Sequence, residues 1–359
     1  MRDGTHNSPK YQREGYPLVT SKNLVTNGID LSEVSFISKY DYQEINKRSK
    51  VETGDILFGM IGTIGNPVMV KKGGFAIKNV ALIKHGGEVS NGFLLYLLKS
   101  STFLQYIRKE NAGGTQKFLG LSVIRSFKFK VPDKVEQGKI ASIFNILNRL
   151  ITLQQQKLDL LKQLKKGLLQ KMFADKDSKR PVLRFKGFHD DWEQRRLGEV
   201  AEIKTGSRNH QDSVDNGKYP FFIRSEKVER LNEYDFDTKA ILVPGDGRIG
   251  EIFHYYDGKF ALHQRVYKVD NFKEVNPLYL LNLFKYKFKK HALRLNAQGT
   301  VPSLRLPMFT NWNILIPNLN EQQKIGLFFQ QLGCLITLQQ RKQNHLKLLK
   351  KSLLQQMFI

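Results

Sequence analysis

Two short segments 185 residues apart share a frame but not their polar residues: "GGFAIKNV", Gly73 to Val80, and "GKFALHQR", Gly258 to Arg265. Where the first carries Lys78 and Asn79, the second carries His263 and Gln264, with Arg265 next. The same offset sets Thr63 of "LFGMIGTIGN" on Arg248 of "LVPGDGRIGE", and Gln116 and Lys117 of "NAGGTQKF" on Val301 and Pro302 of "NAQGTVPS". "SKNL", with Lys22 and Asn23, and "RSEK", with Arg224 and Lys227, begin a comparable polar stretch in each half. These side chains are hydrogen-bonding groups rather than nucleophiles. Arginine offers a rigid fork of donors, and asparagine or glutamine a donor beside an acceptor, the arrangement that reads the edge of a base. Loop residues also differ between repeats when nothing constrains them, and that reading stays open for each position.

The composition points the same way. A formal net charge of +25 and a pI near 9.9 call for a polyanionic partner, nucleic acid before an anionic membrane surface. Catalytic signatures are missing. "NPVM" and "NPLY" do not make the Asn/Asp-Pro-Pro-aromatic loop of an adenine methyltransferase, and no phosphate-binding G-x-x-x-x-G-K-[ST] loop occurs. "GMIGTIG" lies among β-forming residues and reads as a hairpin turn. Asp257-Gly258-Lys259 resembles the acidic-x-Lys element of a metal nuclease, but Asp-Gly predicts a type I′ turn. The single cysteine, Cys334, excludes disulfides within the chain and zinc fingers. We therefore expect no catalytic residues and no metal. No signal-peptide core and no membrane-length apolar run are present, so a cytoplasmic protein without membrane partners is expected.

The elements that must position these residues are themselves repeated. "EQGKIASIFNILNRLITLQQQKLDLLKQLKKGLLQKMF" (Glu136 to Phe173) aligns without gaps on "EQQKIGLFFQQLGCLITLQQRKQNHLKLLKKSLLQQMF" (Glu321 to Phe358), identical at 23 of 38 positions. The repeat reaches back to near Ile56. Each copy has a seam at 4-3 spacing: Ile140, Phe144, Leu147, Ile151, Leu158, Leu161 and Leu168 in the first, and Ile325, Phe329, Leu332, Ile336, Leu346 and Leu353 in the second. Leu150, Leu153, Leu160, Leu164 and Leu169 widen the first stripe, either to meet a further protein or to cover the neighbouring globular part. Ahead of each helix, short Gly-broken β runs alternate with amphipathic helices opened by Asn91 and Asn276, and "FKFKVP" and "WNILIP" read as strands. The expected class is α+β: two mixed α/β recognition domains separated by two long antiparallel coiled-coil helices in pseudo-twofold repeat. Its segments are a first domain over 1–135, a helix over 136–174, a linker over 175–186, a second domain over 187–320 and a helix over 321–359. The first domain looks short, because "RFKGFHDDWEQRRLGEVAEIK" has no counterpart ahead of "MRDGTHNSPKY".

This layout resembles the specificity (S) subunit of type I restriction–modification enzymes. The Gly-rich turns with "GGFA/GKFA" hairpins, the "VP…EQ" and "IP…EQ" helix entries, the "LITLQQ" helices and "WEQRRLGEVAEIKTG" carry the resemblance. It implies two target-recognition domains on a bipartite double-stranded DNA site. It also implies long helices that set the spacing and hold two methyltransferase (M) subunits, and restriction (R) subunits beyond them. It implies no cofactor in this chain, with S-adenosylmethionine, ATP and Mg in the partner subunits. The competing expectation is a coiled-coil scaffold that binds proteins without sequence-specific DNA recognition.

Overall fold

The computed structural model describes the chain apart from residues 27, 111–117, 176, 297–301 and 359. It divides into two compact units, one made of Met1–Gln155 with Arg341–Ile359, the other of Gln156–Gln340. Each unit is therefore a globular part, the start of the long helix that follows it, and the end of the other long helix.

The second unit is built on a six-stranded sheet. Its order is Glu202–Thr205, Val266–Asp270, Phe236–Pro244, His254–Leu262, Tyr219–Phe222, Val228–Leu231. All neighbours are antiparallel except Tyr219–Phe222 beside His254–Leu262. The inward faces carry Ile241, Val243, Val269 and their neighbours, buried with Tyr279, Phe284 and Phe288 of the helical layer. That layer runs from Pro277 to Leu295, with one widened π turn over Phe284–Phe288.

The first unit repeats this plan with shorter strands in two main sheets, beside a small hairpin of Leu24–Val25 and Gly28–Ile29. Arg2–Asp3, Val80–Ile83, Ile56–Gly59 and Gly65–Met69 form one, and Ser35–Ile37, Tyr16–Val19 and Ala76–Ile77 the other. The one parallel pairing recurs, Tyr16–Val19 beside Ala76–Ile77. In both units a glycine marks the closest backbone approach. A Cβ on Gly4 would lie 2.2 Å from the Ile77 carbonyl oxygen, and one on Gly206 2.0 Å from that of Leu262, so no larger residue fits either place.

The long helices span Lys134–Met172 and Leu319–Gln356. Their packing is antiparallel inside each unit. In the first, Phe144 lies 6.0 Å from Phe358 between ring centroids, while Gln343 bonds to Gln155. In the second, Phe329 lies 6.0 Å from Phe173. Of the apolar seam, Ile140, Phe144 and Leu147 are buried, with Leu346 and Leu353 partly covered against the same core. Ile325, Phe329 and Leu332 are buried in the other unit, with Leu161, Leu168 and Ile336 packed against them. Leu158 is buried and Ile151 half-buried. The same glutamine locks each helix start. Gln137 Oε1 accepts from the Ser90 backbone at 2.8 Å and Gln322 Oε1 from that of Asn276 at 2.7 Å. Their Nε2 groups donate to the Pro132 and Pro317 carbonyls at 2.9 and 2.8 Å.

Four local expectations change. The N-cap of the first amphipathic helix is Ser90, not Asn91, because the Ser90 hydroxyl accepts from Phe93 N. That helix also breaks in two at Ser100, whose Oγ donates to the Leu97 carbonyl. Asp257-Gly258-Lys259 is not a turn; it lies inside strand His254–Leu262, where Lys239 and Thr238 of the adjacent strand face Asp257 and Gly258. "FKFKVP" forms no strand. Its counterpart Asn313–Ile316 is a strand because Glu193–Arg196 pairs with it, and among the described residues of the first unit nothing takes that role.

Candidate nucleic-acid interface

Both units start the repeated turn at a parallel bridge, and the second turn is one residue longer, its strand resuming at Val266 where the first resumes at Val80. In the first, a parallel bridge joins Thr5 to Lys78, and in the second one joins Arg208 to His263. Asn79 adopts left-handed backbone at φ 56°, a region that Asn, Asp and His enter more readily than other side-chain-bearing residues. Its Oδ1 meets His6 Nδ1 at 2.9 Å. Lys78 Nζ donates to Ser8 Oγ at 2.5 Å and stands over the Tyr11 ring. In the second unit Gln264 Nε2 donates to Asn209 Oδ1 at 2.7 Å, and Arg265 is exposed.

Around this turn the second unit forms a shallow cavity of about 460 Å³, lined by His210, Arg224, Ser225, Asp246, Gly247 and His263. Arg224 pairs with Asp246 at 3.2 Å. Arg248 is held between Glu251 at 2.8 Å and Glu226 at 3.1 Å, and Lys289 also reaches Glu251 at 2.5 Å. These pairs are exposed, so each is worth little and can exchange for an anion. Arg208 is anchored more firmly, to Asp235 and Glu233 at 2.8 Å each. Lys227 pairs with Glu229 at 2.8 Å. Lys22 and Thr63 are exposed.

Two expected reading residues are buried. Asn23 is 9% exposed; its Oδ1 accepts from Thr20 N at 2.9 Å and its Nδ2 donates to the Asp30 carbonyl at 3.1 Å. It braces a loop rather than facing a ligand. His263 is 4% exposed, and its Nδ1 accepts from Arg265 N at 2.9 Å. Burial, with the Arg224 charge, pushes its pKa down, so a neutral ring with Nε2–H as its donor stands there. Gln116 and Lys117 lie outside the described residues.

Sequence reasoning missed His6, Arg208 and Asn209, which the fold brings beside the repeated turn. The signal was present as "GTHN" (Gly4 to Asn7) and "GSRN" (Gly206 to Asn209), but at an offset of 202 rather than 185. In the first unit Lys84 Nζ lies 2.8 Å from Glu52 and 2.6 Å from Asp55, so the cluster of these acids with His85 already holds a cation of its own.

The model of the type I restriction modification DNA specificity domain matches residues 5–163 and again residues 189–348. The chain belongs to this family. The double match is the internal repeat seen from outside, one specificity domain for each half. A similar relative is the EcoDI specificity subunit of Escherichia coli, 32% identical over 137 residues, which cover 38% of this chain and 30% of that protein. The MjaVIII specificity subunit of Methanocaldococcus jannaschii is 22% identical over 383 residues, covering 95% of this chain and 85% of its own length. A solved S subunit of a type I restriction–modification system from M. genitalium shares the fold, with a TM-score of 0.68 at 16% identity over 100% of this chain and 93% of that one. In the two matched halves of this chain, Lys78 and Asn79 stand at the repeat positions of His263 and Gln264. Among the described residues no helix is long and apolar enough to cross a membrane.

Proposed function

We propose that this specificity subunit reads a bipartite double-stranded DNA target, one part with the turn face of each unit. The observation that carries the reading is the repeated turn: it begins at a corresponding parallel bridge in both units and then presents different polar groups, Lys78 and Asn79 in one and Gln264 and Arg265 in the other. A common support with different hydrogen-bonding groups suits two readers of different sequences. Arg248 and Arg224 are held at the surface by exchangeable acids. DNA approaching this face competes with those acids, and the guanidinium groups then turn to phosphate or to a guanine edge.

The long helices supply the partner surface. Leu150, Leu153, Leu160 and Leu164 are exposed, as are Leu335, Leu338 and Leu348 on the second helix. Leu169 is different, packing on the core of the second unit. The exposed leucines are a docking stripe for two methyltransferase subunits, with restriction subunits beyond them. On this reading the chain performs no catalytic step. Methyl transfer from S-adenosylmethionine and work driven by ATP and Mg belong to the partners. A protein-binding scaffold alone would leave the polar differences at the repeated turn without a role.

The test is to express the chain with and without its methyltransferase partner and map methylated adenines in genomic DNA. The expected result is one split motif that appears only when both are present. Methylation by the isolated chain, or an unsplit motif, overturns the reading.

A further inference from the structure

Between the helical layer of the second unit and the segment from Arg305 to Leu315 lies a cavity of about 910 Å³. That volume suits a small molecule, whose pockets run to about 300–1,000 Å³. The buried side of the lining is aromatic. Phe173, Trp192 and Trp312 are 2%, 2% and 5% exposed. Trp192 packs edge-on against Phe173 at 6.3 Å, and the His291 ring stacks on Trp312 at 5.6 Å.

Two properties of this lining go unanswered within the described chain. The first is a donor. An indole nitrogen only donates, and a buried one normally finds an acceptor. Trp192 Nε1 is buried and has none among the described residues. The second is charge. Two of the basic groups are already committed. Lys287 Nζ donates to the Ala174 carbonyl at 2.5 Å and pairs with Asp175 at 3.3 Å, and His291 Nε2 donates to the Met308 carbonyl at 2.9 Å. Lys290, Arg294 and Arg305 also line the cavity and are exposed, and none of them forms an ion pair among the described residues. Lys290 and Arg294 stand four residues apart on the helix Lys289–Leu295, so their charges share one face. On the turn face, by contrast, Arg224 and Arg248 each hold a carboxylate. Cations gathered without an acid favour an anionic ligand.

We propose that this cavity binds a small aromatic anion: a ring system among Phe173, Trp192 and Trp312, with an acceptor for Trp192 Nε1–H and a carboxylate, sulfonate or phosphate group for Lys290, Arg294 and Arg305. Rings pack on rings with a gain beyond their buried area, and arginine holds oxyanions through its fork of donors. The indole donor separates this occupant from duplex DNA. A duplex phosphate meets the three exposed cations but leaves the buried Nε1–H without an acceptor. A neutral apolar molecule answers neither the donor nor the charge. This inference goes beyond the DNA reading and does not rest on it.

The chain's two tryptophans, Trp192 and Trp312, both line this cavity, so its intrinsic fluorescence reports on the site. The experiment titrates anilinonaphthalene sulfonate, an aromatic anion, into the full chain. Saturable binding of one probe per chain should quench the tryptophan emission. Arg294→Gln with Arg305→Gln should weaken binding about tenfold or more. Both side chains are exposed, so this double variant keeps the fold, which thermal melting checks. Trp192→Phe keeps a ring but removes the donor, and should weaken binding about threefold. Phenylnaphthylamine, the uncharged counterpart of the probe, should bind the wild type and the double variant with equal affinity. Absence of binding, or binding of the anion indifferent to either variant, overturns the proposal. Displacement of the probe by a random-sequence duplex would make the cavity part of the DNA face and would also overturn it.

Discussion

At the scale of single residues, the turn face separates groups that can reach a ligand from groups that hold the turn in place. Gln264 and Arg248 are exposed and held only by other surface groups. Replacing either with Ala should cost about 1–3 kcal/mol at its own base pair and nothing in the other half-site. Binding of the assembled methyltransferase to duplexes mutated one position at a time checks this, and unchanged base preference in both variants would refute it. Asn23 and His263 would behave otherwise: their loss disturbs loop shape because both are buried and bonded to backbone. This division was only partly legible in the sequence. The repeat showed where the turn lies, since its glycines and apolar flanks keep their spacing. It could not show that Asn23 faces inward, because a four-residue polar stretch has no periodicity to give it a face. Nor did it pair the turn with His6 or Arg208, since that contact joins segments whose repeat offset differs.

At the scale of elements, the long helices were legible because a 4-3 apolar seam sustained over so many turns admits one structure. The strand reading of "FKFKVP" failed because strand formation needs a neighbour, which sequence alone does not supply. Two predictions belong here. Leu160 and Leu164 are 65% and 52% exposed. Leu160→Asp with Leu164→Asp should therefore abolish methyltransferase assembly in size-exclusion chromatography while leaving the melting temperature within a few degrees. A large drop in melting temperature would instead make them core residues. The second concerns Lys99, whose pKa is lowered to about 8 by burial and then by the charge of Lys350. A lysine with a folded pKa below its unfolded value is a net cost wherever it is protonated in both states. The cost is full below about pH 8 and disappears as pH rises toward about 10.4. Lys99→Met should stabilise the protein by about 1 kcal/mol or more at pH 7, with the gain vanishing near pH 10 in denaturant titrations. A gain independent of pH would point to packing instead.

At the scale of the whole molecule, the charge is spread rather than gathered on the turn faces. The first long helix alone carries eight Lys or Arg against two acids. The larger consequence comes from the way each unit borrows the end of the other's helix. Residues 156–340 are continuous in sequence and hold all that the second unit needs. The first unit needs Phe358, which packs on Phe93 and Phe144 and accepts from Thr102 through its carbonyl. During synthesis, then, the half made first is completed after the half made second: it waits for residues 341–358 to emerge, while residues 156–340 can close before it. A chain ending at Gln340 should keep the second unit's melting transition and protease resistance but expose the first unit to rapid digestion. Equal survival of both halves in that truncation would show that the first half completes itself without the tail.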